Sequence, residues 1–198
     1  MNILLIGDEK PQAPYHPLSA ILPDICKTLE KIGTVTTTND YTQMGEMELA
    51  QFDLVISYSD LYERMKGFDD VLAGYVEHGG RLLALHTGIC VVEEGKLAKA
   101  IGGSFITHPP YCQLTYYDMS GKAVMTCGEE AYMVRQYDDG NRIFLEFDYE
   151  GKRYPAGWLR QSGRGHAAYL APGHDARTTG REEFQELLRR TVTALMSQ

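Results

Sequence analysis

The stretch GGRLLALHTG, residues 79–88, decides how this chain folds. Two glycines end a helical pattern, a short and mostly apolar run follows, and the polar turn His86-Thr87-Gly88 comes directly after it. An apolar run of this kind is typical of a strand buried on both faces, as in parallel sheets. Residues 2–7 and 52–58 have the same character, and amphipathic helical patterns separate the three runs. The sequence therefore predicts a parallel sheet with right-handed crossovers.

The second half of the chain has a different pattern, with short runs separated by turn pairs such as Ser120-Gly121 and Glu150-Gly151. Residues 141–149 and 166–170 have the composition of strands, which predicts antiparallel strands added to the parallel core or laid over it. An apolar helical stripe from 184 to 196 follows. The expected fold class is α/β, a three-layer α/β/α sandwich, in one domain spanning residues 1–198.

Composition excludes several classes of function. The net charge is −8, which disfavours nucleic acid as a partner. No segment approaches the roughly 18 apolar residues of a membrane span, and the N-terminal residues lack the basic flank of a secretion signal. We therefore expect a cytoplasmic protein without a membrane partner. The loop after the first strand lacks the glycine patterns of dinucleotide and P-loop sites, so we expect no nucleotide.

His86 is the first candidate for chemistry, because ligands bind at the carboxyl ends of parallel strands. Its abrupt strand-to-turn position has the geometry of a nucleophile elbow, but with histidine in place of serine or cysteine. Histidine suits a general acid, a general base or a metal ligand. The alternative is a histidine hydrogen-bonded into the top of the core.

Three further histidines lie in loops that could reach the same sheet edge. His16 follows the first strand, His108 precedes Pro109, which restricts it to extended geometry, and His174 follows the apparent strand at 166–170. Such glycine- and proline-rich loops build sites, but they also build plain turns. Glu130 is half of an acidic pair, which by spacing alone is typical of a solvated surface.

Taken together, these segments resemble the ThuA-like, or trehalose-utilisation, family, whose fold is that of the class I glutamine amidotransferases. The matching segments occur in the family's order and cover most of the chain: Gly79-Gly80, Leu85-His86-Thr87-Gly88, Ile101-Gly102-Gly103-Ser104-Phe105, His108-Pro109, Glu129-Glu130-Ala131-Tyr132, Pro155-Ala156-Gly157-Trp158, Gly163-Arg164-Gly165-His166-Ala167-Ala168-Tyr169, Gly173-His174-Asp175, and Phe184 with Leu187 and Leu188.

The resemblance implies a flavodoxin-like sheet in which His86 replaces the usual elbow cysteine. It also implies a site around His86, His108, Glu130 and His174, with Tyr132 and Trp158 nearby. Two features depart from the family pattern: the segment between His86 and Ile101 is short, and Ala171-Pro172 precedes Gly173. The family is associated with disaccharide or oxidised-sugar catabolism.

Three functions remain open at this stage. The first is an enzyme acting on a sugar by acid/base chemistry, and the second is a hydrolase or isomerase that holds zinc or a similar divalent ion. The third is a sugar sensor without catalysis. The missing elbow cysteine excludes a glutamine amidotransferase. The protein could also form a homo-oligomer. The predicted catalytic residues, which are also the candidate metal ligands, are His86, His108, Glu130 and His174. The predicted substrate-binding residues are His16, Thr87, Tyr132 and Trp158.

Overall fold

The computed structural model describes residues 1–60 and 67–198. The strands in these residues are β1 (Asn2–Gly7), β2 (Thr34–Thr38), β3 (Leu54–Tyr58), β4 (Arg81–Leu85), β5 (Gly103–Thr107), β6 (Cys112–Asp118), β7 (Ala123–Glu129), β8 (Met133–Gln136), β9 (Arg142–Tyr149), β10 (Lys152–Ser162) and β11 (Gly165–Leu170). The α-helices are α1 (Leu22–Leu29), α2 (Glu46–Leu49), α3 (Phe68–Glu77), α4 (Lys96–Ile101), α5 (Ala176–Thr179) and α6 (Glu182–Met196).

Five strands form the parallel half of the main sheet, in the order β2-β1-β3-β4-β11. Every neighbouring pair among them is parallel. This is the flavodoxin-like strand order, with β11 in the place of the fifth strand. β3 is buried at every position, as expected for a strand covered on both faces. The predicted parallel sheet is confirmed.

Helices cover this half on both sides. The connection from β1 through α1 to β2 runs in one direction along the sheet, and the connection from β3 through α3 to β4 runs in the other. Because such crossovers are right-handed, the two helices lie on opposite faces. α1 contacts α6, and α3 contacts α4. The result is the predicted three-layer α/β/α arrangement. No helix among the described residues is both long enough and apolar enough to cross a membrane.

Four strands extend the same sheet as its antiparallel half, in the order β10-β9-β6-β7. β11 joins the halves, since it is parallel to β4 and antiparallel to β10. The expectation that residues 166–170 are an antiparallel addition is therefore only half correct: the strand exists, but it completes the parallel half. β5 and β8 form a separate two-stranded sheet.

The antiparallel half curves back over the carboxyl edge of the parallel half. β7 is four strands away from β11, which would be about 19 Å in a flat sheet. Nevertheless, the carboxylate of Glu129 at the end of β7 lies 2.8 Å from the backbone nitrogen of Gly173, just after β11. This curvature brings the edge strand β7 to the carboxyl ends of the parallel strands.

Candidate functional site

His86 is fixed in the sharp turn that follows β4. Its φ is 46°, in the left-handed region. Gly88 permits the turn, because a Cβ atom there would lie 2.1 Å from the carbonyl oxygen of Ser57. The His86 side chain is fully buried, and its Nδ1 lies 2.7 Å from the carbonyl oxygen of Ala171. A carbonyl can only accept, so Nδ1 carries the proton and the Nε2 of the neutral ring offers its lone pair.

His16 and His174 reach the same point from two other strand ends. His16 lies in the loop after β1, and His174 lies in the loop after β11. The Nε2 of His16 is 3.4 Å from the Nε2 of His86 and 3.0 Å from the Nδ1 of His174. The side chains of His16 and His174 each keep 16% of their surface exposed, whereas His86 keeps none. The group is closed behind His86 and open to solvent on the opposite side.

Glu130, directly after β7, brings a carboxylate to the three imidazoles. Its Oε2 lies 3.3 Å from His16 Nε2, 3.7 Å from His86 Nε2 and 3.4 Å from His174 Nδ1. Burial acts to raise the pKa of Glu130, but the hydrogen bonds with His16 and His174 outweigh it and hold this pKa well below its usual range. Glu130 is therefore ionised at neutral pH. We refer to His16, His86, Glu130 and His174 as the histidine–glutamate cluster.

The pKa values of two imidazoles of this cluster, His16 and His174, are shifted in opposite directions. Burial lowers the pKa of His16 to about 4, although its hydrogen bond with Glu130 opposes the change. Burial also acts to lower the pKa of His174, but the hydrogen bond and charge of Glu130 raise it overall. His16 is thus neutral near pH 7 and has a lone pair for a ligand bond, whereas Glu130 favours the protonated form of His174.

The donor atoms of the cluster fit a metal ion. Five of the six separations among the four donor atoms are the 3.0–3.7 Å distances given above, and all four atoms lie within 4.8 Å of one another. Four ligands at about 2.0–2.1 Å from a tetrahedral ion are themselves about 3.3 Å apart. Imidazole and carboxylate donors without sulfur suit zinc and other divalent first-row ions. The bond from His86 Nδ1 to Ala171 is the kind of support that orients a metal-bound histidine.

Comparison with known families agrees with the fold. The family model described as ThuA, trehalose utilisation, matches residues 12–193. This chain belongs to the ThuA family. No curated protein matches the chain at a significant level.

Solved structures similar to this ThuA chain share its fold at low sequence identity. A ThuA-like protein from Parabacteroides merdae is 13% identical with a TM-score of 0.80, covering 100% of this chain and 90% of that one. A ThuA-like protein from Bacteroides uniformis is 14% identical with a TM-score of 0.76, covering 97% of this chain and 89% of that one. A β-galactosidase from Rahnella sp. R3 is 19% identical with a TM-score of 0.64, covering 98% of this chain but 31% of that one.

His108 stands next to the cluster of this ThuA protein rather than within it. Its Nε2 is 3.8 Å from Glu130 Oε1, the carboxylate oxygen that faces away from the other histidines. Its Nδ1 lies 2.8 Å from the carbonyl oxygen of Pro109 and donates to it, so the free lone pair of the neutral ring is on Nε2. The His108 side chain is 35% exposed. The predicted residues His86, His108, Glu130 and His174 are therefore brought together, along with His16.

Tyr132, predicted to bind substrate, supports the histidines with its ring. It stacks on His86 with ring centroids 4.3 Å apart and on His108 with centroids 5.6 Å apart. Tyr132 is almost completely buried. Its contacts in the structure are those of a residue that holds two imidazoles in place.

Two predicted substrate-binding residues lie where a substrate does not reach them in this structure. Thr87 is buried inside the turn after His86. Trp158 is fully buried on β10, and its indole N–H donates to the carbonyl oxygen of Ile101 at 2.7 Å. Neither side chain is exposed at the opening of the cluster, and substrate binding by these two residues stays a prediction.

Two further residues beside the cluster, Tyr58 and Glu129, are not indicated as site residues by the sequence patterns. Tyr58 is the last residue of β3, and its hydroxyl donates to the carbonyl oxygens of Gly173 and His174 at 3.1 and 3.0 Å. The rule that selects residues at the carboxyl ends of strands selects Tyr58 as well as His86. The fully buried Glu129 carboxylate accepts from backbone N–H groups beside the cluster.

The thiol nearest the elbow is not a substitute for the cysteine of glutamine amidotransferases. Cys90 is buried, and this burial raises the pKa of its thiol to about 12. A thiol with such a pKa is almost entirely protonated at neutral pH and is a poor nucleophile.

Proposed function

We propose that this ThuA-family protein is a metal-dependent enzyme acting on a carbohydrate, as a hydrolase, lyase or isomerase. His16, His86, His174 and Glu130 would hold a divalent ion such as zinc. The observation that carries the proposal is that five of the six separations between their donor atoms are 3.0–3.7 Å and that all four atoms lie within 4.8 Å of one another. When bound, an ion of this type acts as a Lewis acid on a carbonyl or hydroxyl oxygen of the substrate.

His108 is the residue suited to move a proton in this site. Its Nε2 lone pair is free, its side chain is partly exposed, and it lies beside Glu130 on the open side of the cluster. It can therefore accept a proton from a substrate hydroxyl and return it later. Tyr132 stacks on its ring with centroids 5.6 Å apart, which limits the rotation of the imidazole.

A sugar is the substrate class that we propose, on two grounds. The family description is trehalose utilisation, and the β-galactosidases among the similar structures also act on sugars, as their name states. The chemistry is compatible, because neighbouring oxygens of a sugar or an oxidised sugar can approach a divalent ion together. The half-exposed ring of Tyr111, 5.4 Å from the His174 ring, offers an apolar surface at the opening.

The second candidate is acid/base chemistry without a metal, with His86 as acid or base and Glu130 as its complement. The burial of His86 weighs against this role. Its Nδ1 is bonded to Ala171, and its Nε2 faces His16 and Glu130 inside the cluster. A substrate atom would have to displace His16 to reach it.

Metal titration of the tag-free protein tests the proposal. After treatment with a chelator, we expect one Zn²⁺ or Co²⁺ ion to bind per chain in calorimetry. His16→Ala should weaken the binding at least about 100-fold, the upper end of the effect of disturbing a metal site. His78→Ala is the matched control, because His78 is an exposed imidazole 2.7 Å from Glu46.

The same samples can be assayed on disaccharides and their keto-oxidised forms, with and without the ion. Turnover that follows ion occupancy supports the proposal. Failure of the wild-type protein to bind either ion would favour the metal-free alternative, and equal binding by the His16→Ala variant would place the ion elsewhere.

A further inference from the structure

Glu129 is a buried carboxylate directly behind the histidine–glutamate cluster. Its side chain has no exposed surface. Its Oε1 accepts hydrogen bonds from the backbone nitrogens of Gly173 and His174 at 2.8 and 3.0 Å, and its Oε2 accepts one from the backbone nitrogen of Glu130 at 3.2 Å. One carboxylate therefore joins the two segments that carry His174 and Glu130.

Tyr58 holds the same peptide from the other side. Its hydroxyl donates to the carbonyl oxygens of Gly173 and His174, while Glu129 accepts from their N–H groups. Gly173 has a φ of 143°, a conformation that side chains rarely adopt and that leaves a free chain many alternatives. The loop needs external contacts to keep one conformation, and these two side chains supply them.

Only a carboxylate satisfies the three donors together. Its two oxygens offer about four lone-pair sites. A glutamine at this position could keep its carbonyl oxygen toward Gly173 and His174, but its NH₂ group would then face the N–H of Glu130, donor against donor. Burial of a charge is unfavourable unless hydrogen bonds compensate it, so the placement indicates a specific role.

We infer that Glu129 is a positioning residue that holds His174 and Glu130 at the separation needed to bind a metal ion together. The inference rests on the proposed function, since it assigns to Glu129 the geometry of the proposed metal site. Glu129 contacts the backbone of the ligands and not the ion, and its effect is on affinity and coordination geometry.

Cobalt binding by Glu129→Gln tests the inference. We expect Co²⁺ affinity to fall about 10- to 100-fold, as for other outer groups of metal sites. The visible absorption of bound Co²⁺ should also lose intensity as the coordination departs from tetrahedral. Tyr75→Phe is the control, because Tyr75 is a buried tyrosine whose hydroxyl donates to two carbonyl oxygens, of Phe52 and Arg81, outside the cluster. It should lose stability without a change in the cobalt spectrum.

The Glu129→Asp variant changes the position of the carboxylate without removing it. It also provides a test if the Glu129→Gln variant does not fold. Aspartate keeps the carboxylate but withdraws it by about one carbon–carbon bond, 1.5 Å, so weaker cobalt binding than wild type supports the positioning role. Wild-type affinity and spectrum in Glu129→Asp, or in a folded Glu129→Gln, would overturn the inference while leaving the metal site intact. Absence of cobalt binding by the wild-type protein would overturn the proposed function and this inference with it.

Discussion

The parallel and antiparallel halves of the sheet contribute to the site in different ways. The parallel half supplies three histidines, His16, His86 and His174, from loops that follow β1, β4 and β11. The antiparallel half supplies the carboxylate Glu130 from the end of β7, and His108 lies between β5 and β6. The first set follows the carboxyl ends of parallel strands, whereas Glu130 reaches the site because the sheet curves.

We refer to the carboxyl ends of the parallel strands as the rigid edge. This edge supplies the histidines, whereas the curved antiparallel half supplies the carboxylate. Four strands of the parallel half, β1, β3, β4 and β11, are buried along almost their whole length, so their ends have little freedom. The edge strand β2 has no fully buried position. In the antiparallel half, buried and exposed positions alternate more often, as in β7 and β9. The pairing of β10 with β9 shifts register between Pro155 and Trp158. Such irregularities increase the local twist of a sheet.

The largest expected contrast between the halves is in stability. Gly88→Ala would place a Cβ atom 2.1 Å from the Ser57 carbonyl oxygen in the parallel half. We expect the free energy of unfolding to fall by about 3 kcal/mol or more. Gly151→Ala, in the β9–β10 turn of the antiparallel half, has open space but a φ of +73°, and should cost about 1–2 kcal/mol. Urea unfolding of both variants measures the contrast, and equal losses would contradict the rigid-edge interpretation.

A smaller effect is expected from the carboxylate that the antiparallel half supplies. Glu130→Gln keeps the side-chain shape and one oxygen but removes the charge, so we expect Zn²⁺ affinity to fall about 10- to 100-fold. Glu46→Gln is the matched control, since the Glu46 carboxylate also pairs with an imidazole, that of His78. Calorimetry would contradict the assignment if the two variants bound the ion equally well.

The smallest effect on ion binding is expected from His108→Gln. The His108 ring contacts the outer oxygen of Glu130 and not the other donor atoms. We therefore expect a change in Zn²⁺ affinity of less than about tenfold, below that of groups that support a ligand directly. A loss as large as that of His16→Ala would make His108 a ligand and remove it from the proton-carrying role.

The sequence predicts the parallel half closely for a physical reason. Strands buried on both faces are continuous apolar runs, so residues 52–58 were expected where β3 spans Leu54–Tyr58. The run at 166–170 also indicates a strand, but a run of residues does not specify its partners. The pairing of β11 with β4 depends on the whole topology.

The sequence likewise predicts the site residues of the parallel half better than those of the antiparallel half. The elbow and the strand-end rule indicate His86, His16 and His174 without a structure. Spacing alone would leave Glu130 on the surface, and only the family resemblance indicates its position, because its approach depends on the curvature of the sheet. Thr87 follows His86 directly in the sequence but is buried, and the sequence alone does not indicate this burial.

The residues of the histidine–glutamate cluster lie far apart in the sequence, and this affects when the cluster can form during synthesis. His86 is 70 residues from His16, and His174 is 158 residues from His16. Closing such long loops costs entropy that only the packed fold offsets. A nascent chain that ends before residue 174 cannot present the full donor set, whatever ligand the cluster takes. The complete donor set therefore exists only in a chain that extends past residue 174 and has folded.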